Sequence, residues 1–171
     1  MARRAVEIID MDSGLRRILN DLKNLPLRNV LIGVQEGTQT YAASKNGRER
    51  EQGISVAQYA AYNEFGTEKI PQRSFMRSTF DEKQRNIIQV INNQLGLYID
   101  GKINSTQVYN RIGLAVAGMI QQKIGQIQSP PNAPYTIAIK KSSKPLIDFG
   151  QMIASIRHTV VRNTNNQPAN L

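Results

Sequence analysis

The groups in this chain that could do acid–base or nucleophilic work are few, and their spacing argues against it. Asp10 and Asp12 stand two apart in MARRAVEIIDMDSG. Neighbouring carboxylates can act as acid and base, but here they read as a solvated helix end. Glu49 and Glu51 fall in a polar, glycine-bearing stretch, a poor scaffold for groups that must be held rigid. His158 alternates with aliphatic residues in SIRHTVVR, and no serine or cysteine nucleophile motif accompanies it. It reads as a core-edge or surface histidine rather than a general base. With no cysteine there is no disulfide framework, thiolate metal site or cysteine nucleophile. A single histidine excludes multi-histidine metal sites. There is no P-loop and no paired-glycine dinucleotide fingerprint. The expectation is a protein with no catalytic residue, metal or cofactor, and not an enzyme.

Binding chemistry is better represented. Lys plus Arg number 22 against 13 Asp plus Glu, a net charge of +9 and a pI near 10.0. Such a surface attracts nucleic acid, anionic lipid or an acidic protein. Lys140, Lys141 and Lys144 cluster with Ser142 and Ser143 as a flexible basic patch, and Arg3, Arg4, Arg16 and Arg17 add charge near the start. No helix-turn-helix or RNP-type aromatic motif accompanies them. The first residues carry two arginines without a long apolar run behind them, so they are not a secretory signal. No window approaches the roughly 20 apolar residues that span a bilayer. The chain is expected to be soluble and intracellular when made.

The elements that position these groups follow from periodicity. The 171 residues, 40% of them hydrophobic, suggest one domain over 1–171 with a real core. Residues 5–25 carry apolar positions three or four apart and predict an amphipathic helix, interrupted at Asp12–Gly14, where Ser13 can cap a fresh start. LRNVLIGV, 27–34, predicts a strand. Residues 36–53 are polar, Gly-rich and charged, and predict a long mobile loop or hairpin arm. Ser55 can cap a helix over about 56–65, with Gly66 as its stop. A long helix is predicted over about 74–98, with the stripe Phe80, Ile87, Ile88, Ile91, Leu95 and Tyr98, and Gly101 closes it. Ser105 starts another over about 106–127, whose small residues Gly113, Ala115, Ala117 and Gly118 allow a neighbouring helix close. A short helical turn is predicted near 134–140, a second strand at 155–162, and a polar tail at 163–171. The fold class is α+β: two long helices packed on a small, mainly antiparallel sheet, with an extended arm.

Two stretches carry a resemblance. VAQYAAYNEFGTEKIPQRSFMRSTFDE and PPNAPYTIAIKKSSKPLIDFGQMIASIRHTV resemble the two signatures of the neck and tail-completion proteins of tailed bacteriophages. The first matches a helix ending N-E-F-G-T, then I-P-x-R-x-F and a long helix. The second matches a Pro-Asn-x-P segment, a Lys-Ser-Ser-Lys-Pro run, then L-I-D-x-G-x-M. Phe149 stands where that family is expected to carry Thr. Together the stretches span most of 55–161. The resemblance implies a structural virion protein at the head–tail junction: a subunit of a homo-oligomeric ring beside head-connector and tail proteins, made in the host cytoplasm. It implies no membrane and only non-specific proximity to genomic DNA. Alternatives are a head-side adaptor, a tail terminator, or a basic nucleic-acid-binding module.

Under this resemblance the first stretch reads as a structural or inter-subunit corner of Glu64, Phe65, Gly66, Thr67, Pro71, Arg73 and Phe75. Gly66 lets the chain turn sharply, and Glu64 and Thr67 hydrogen-bond in the turn. Pro71 blocks helix extension. Arg73 is placed to pair with a carboxylate, Glu64 being the candidate, and Phe75 plugs the helix junction. Lys140, Lys141 and Lys144 are the expected basic contact patch, aimed at an adjacent ring because lysines form adaptable pairs.

Overall fold

The computed structural model describes residues 13–24, 28–35, 54–140, 143–146 and 150–162. The expected arm at 36–53, the tail, Asp10, Asp12, Glu49, Glu51, Lys141 and Phe149 lie outside these residues, as does the Lys140 side chain.

The elements run α1 Ser13–Asn24, β1 Arg28–Val34, α2 Val56–Phe65, α3 Met76–Ile99, α4 Ser105–Gln126, α5 Pro134–Lys140, α6 Gln151–Ser155 and β2 Ile156–Arg162. This is an α+β fold with two long helices, α3 of 24 residues and α4 of 22, and a two-stranded antiparallel sheet. Helix starts follow local side-chain chemistry. Ser55 Oγ accepts from the Gln58 amide at 3.1 Å while Gln58 Oε1 accepts from the Ser55 amide at 3.2 Å, a reciprocal box that satisfies two orphan donors of α2. Asn104 and Gln107 repeat it at α4, both bonds 2.9 Å, so the cap lies one residue ahead of Ser105. Between the long helices the chain reverses at Gly101, φ 72°, in the left-handed region that favours glycine.

Helix α4 is the centre of the packing. Asn110, Gly113 and Gln121, spaced three, eight and eleven apart along it, face the sheet and the segment before it. Val108 and Ile112 instead pack with Leu95 and Tyr98 of α3, and Lys123 reaches Glu82 of α3 at 2.6 Å. The sheet and α3 therefore contact different residues of α4, and the start of α3 also reaches the sheet, with Met76 against Gly33 of β1. The strand register pairs Val34 with Ile156 and Ile32 with His158, and the period of two sends this set toward α4. Leu31, paired with Thr159, faces away and is 56% exposed. The main core gathers Val56, Phe75, Val116, Ile120, Met152 and Ile156 from four elements and the α2–α3 corner.

Three expectations are corrected. The close approach at Gly113 is made by β2, not by a helix: a Cβ there would lie 2.5 Å from His158 Cδ2, whereas Gly118 faces open space. The α3 stripe is wider than the seam α4 covers, so Tyr98 is buried but Phe80 and Ile88 are 45% and 49% exposed. A five-residue helix, α6, precedes β2, too short to leave a periodic signal.

Gly113→Ala is expected to destabilise the fold by about 1–3 kcal/mol, the usual range for overpacking. Most of that loss should vanish in a His158→Ala background, since removing the imidazole frees the space. Urea denaturation of the four proteins checks this; an equal loss in both backgrounds would show that His158 is not the obstacle.

Candidate functional site

The corner between α2 and α3 is built around two buried charges. Glu64, in the last turn of α2, is 4% exposed. Its Oε2 accepts from the amides of Phe75 at 2.7 Å and Met76 at 2.9 Å. Its Oε1 accepts from the Arg77 amide at 3.1 Å, the Ser74 hydroxyl at 2.8 Å and Arg77 Nε at 3.0 Å. The first turn of any helix leaves its amides unpaired, and α3 has no side-chain cap from its own N-cap residue, Phe75. The cap comes from the preceding helix instead, and a carboxylate there also meets the positive end of the helix dipole. Burial pushes the Glu64 pKa up. The Met76 and Arg77 amides, the Ser74 hydroxyl and the Arg77 guanidinium outweigh it together, and the carboxyl sits below its ordinary value.

Arg73 does not pair with Glu64. Its Nε donates to the Pro130 carbonyl at 2.7 Å, Nη2 to the Pro131 carbonyl at 3.0 Å and to Asn132 Oδ1 at 3.4 Å, and Nη1 to Asn63 Oδ1 at 3.1 Å. The lone pairs of Glu64 are already filled by α3, so the guanidinium turns to the neutral oxygens of the proline segment. Arg73 is 6% exposed, and burial lowers its pKa, with Tyr59 acting in the opposite sense. It stays charged because an arginine starts so high. Its own amide donates to the Asn63 carbonyl at 2.7 Å, which closes the corner on the backbone side.

Gly66, Thr67, Pro71 and Phe75 lie in the turn between α2 and α3 or at the start of α3. Gly66 has φ 79°, and a Cβ there would crowd Gln72 at 3.2 Å. Thr67 Oγ1 accepts from the amides of Lys69 and Ile70 at 3.3 and 3.0 Å, holding the turn. Pro71 is exposed ahead of Arg73, and Phe75 is fully buried in the core. Asn132 Nδ2 donates to the Lys144 carbonyl at 3.4 Å, and Leu146 enters the same core as Phe75. The two signature stretches therefore meet at Arg73, although they are distant in the chain. The Lys144 side chain is exposed.

The donors and acceptors of Glu64 and Arg73 are engaged and hidden from solvent. His158 is half-buried, with Nε2 3.2 Å from Asn110 Oδ1. No group of three metal-ligating side chains occurs among the described residues. What the corner does present is a surface. Phe65 is 66% exposed, Tyr62 is 38% exposed, and the Arg77 guanidinium lies 4.9 Å from the centre of the Phe65 ring. Arg77, Asn63 and Asn132 were not read as site residues in the sequence. The asparagines lie inside the quoted motifs, but no spacing rule announces a cap that reaches from one helix to the next.

No protein-family model matches the chain, and no curated protein or solved structure matches it.

Glu64→Gln is expected to cost about 1–3 kcal/mol, because an amide nitrogen then faces backbone donors. The pH dependence has a definite sign. With its folded pKa lowered, the Glu64 contribution is fully present above the ordinary carboxylate range near 4.5 and is lost as pH falls through the folded value. The gap between native and variant should therefore narrow below about pH 4.5; a gap that widens on acidification would contradict the cap. Arg73→Lys should also lose about 1–3 kcal/mol despite keeping the charge, since an ammonium cannot span four acceptors with the guanidinium fork. A melting curve matching the native protein would contradict that.

Proposed function

We propose that this chain is a ring-forming structural subunit of the head–tail junction of a tailed bacteriophage, a neck or tail-completion protein. The observation that carries a protein-partner reading is apolar surface left in solvent on several elements. Phe65, Leu114 and Tyr135, on α2, α4 and α5, are 66%, 67% and 77% exposed. Single exposed apolar residues are ordinary, but an exposed aromatic ring with an arginine over it, as Arg77 lies over Phe65, is the kind of feature that protein contacts use. The phage context rests on the resemblance of the two signature stretches. Their meeting at the corner supports reading them as one unit: a rigid joint that presents Phe65, Tyr62 and Arg77 outward. Aromatic residues and arginine carry most binding energy at such surfaces. The basic residues then serve acidic neighbours, since a channel that must release DNA is poorly served by a tight grip on it.

Phe65→Ser tests the joint as a contact. The side chain is mostly in solvent, so stability should change by no more than about 0.5 kcal/mol, while ring formation by mass photometry and uptake into particles should fall by tenfold or more. A variant that assembles normally removes Phe65 from the contact. A native protein that forms no ring and binds duplex DNA with steep salt dependence would put the nucleic-acid module in first place.

A further inference from the structure

A chain with net charge +9 repels its own copies, so a self-contact needs carboxylates, and they are scarce. Five described side chains carry one: Glu64, Glu68, Asp81, Glu82 and Asp100. Glu64 is enclosed in the corner, Glu82 binds Lys123 and Asp100 binds Lys102. Asp81 and Glu68 are left without an ion pair among the described residues. Of these two, Asp81 stands in an apolar setting: it lines a shallow groove on α3 of about 330 Å³ together with Phe80, Gln84, Ile87 and Ile88.

The outer face of the sheet has the opposite character. Leu31, with its neighbour Thr159 across the ladder, lines a second shallow groove of about 350 Å³ along β1. Arg157, two residues from Thr159 and so on the same face, is exposed and has no carboxylate partner among the described residues. Within one chain the start of α3 reaches the sheet, Met76 Cε lying 2.9 Å from where a Cβ on Gly33 would be, but no ion pair joins Asp81 to Arg157 among the described residues. A two-fold contact of either surface with itself would set Asp81 near Asp81, or Arg157 near Arg157, which is unfavourable. A head-to-tail contact sets opposite charges together over two apolar grooves of similar size, and head-to-tail contacts are the kind that close into rings.

We infer that the Phe80–Asp81–Ile88 flank of α3 in one copy docks on the Leu31–Thr159–Arg157 face of the sheet in the next. This contact rests on the ring reading and names the surfaces that would build it. The absence of cysteine makes it directly testable. Asp81→Cys and Arg157→Cys proteins, each prepared separately, are mixed and mildly oxidised, and disulfides are scored by mass spectrometry. The expected product is the mixed disulfide, at least tenfold over either like-with-like product. In parallel, Asp81→Arg alone and Arg157→Asp alone should each abolish oligomers by mass photometry, and the double charge swap should restore them. If the native chain is oligomeric but only like-with-like disulfides form, or the double swap fails to reassemble, this interface is wrong and the ring reading stands. If the native chain remains a monomer at high concentration, both fall together.

Discussion

A carboxylate buried at the start of a long helix is the interaction on which the rest of this structure depends. Glu64 closes α2, yet its oxygens belong functionally to α3, whose first amides it holds. Without an acceptor there, three backbone donors would be enclosed beside the apolar core that contains Phe75. The ionised carboxylate is stable in that position because amides, a hydroxyl and a guanidinium surround it, so the desolvation it suffers is offset by directed donors. One residue before it, Asn63 ties the same helix to Arg73, and Arg73 ties the corner to the proline segment after α4. The corner thus locks α2, α3 and the approach to α5 in one hydrogen-bonded unit.

That lock determines what the surface can present. With Glu64 and Arg73 turned inward, the neighbouring Phe65 ring and Arg77 guanidinium are displayed on a scaffold with little freedom to rearrange. Rigid aromatic side chains lose little entropy on binding, which suits them to contacts with a partner. Helix α4 packs against α3 and the sheet through different residues, and shallow grooves remain on α3 at Phe80–Ile88 and along β1 at Leu31–Gln35.

Much of the architecture was legible in the sequence because its signals are local. Ser55 and Gly66 bound α2, Gly101 closes α3, and the alternation in SIRHTVVR identified β2, whereas α4 is capped by Asn104 and Gln107 rather than started by Ser105. Glu64, Gly66, Thr67, Arg73 and Phe75 stand out in the sequence, but Asn63, Arg77 and Asn132 do not, and neither does the wiring that joins them. Arg73 and Glu64 are opposite charges nine residues apart, and pairing them is the natural reading of a one-dimensional string. In three dimensions α3 begins where the glutamate ends, and its backbone outcompetes the arginine. Of the four partners the Arg73 guanidinium takes instead, Asn63 is ten residues away and the other three lie 57–59 residues away, on loop carbonyls and an amide that no periodicity marks. The uncovered half of the α3 stripe was likewise hidden, since a stripe shows which face is apolar and not how much of it a partner helix covers.

The most direct measurement is amide hydrogen exchange at Phe75, Met76 and Arg77 in the native protein and in Glu64→Gln at neutral pH. If the α2 carboxylate is what caps α3, protection at these amides drops in the variant while the Arg73 amide, bonded to the Asn63 carbonyl, keeps its own. Unchanged protection at the three amides, or a loss at Arg73 in step with them, would contradict the account.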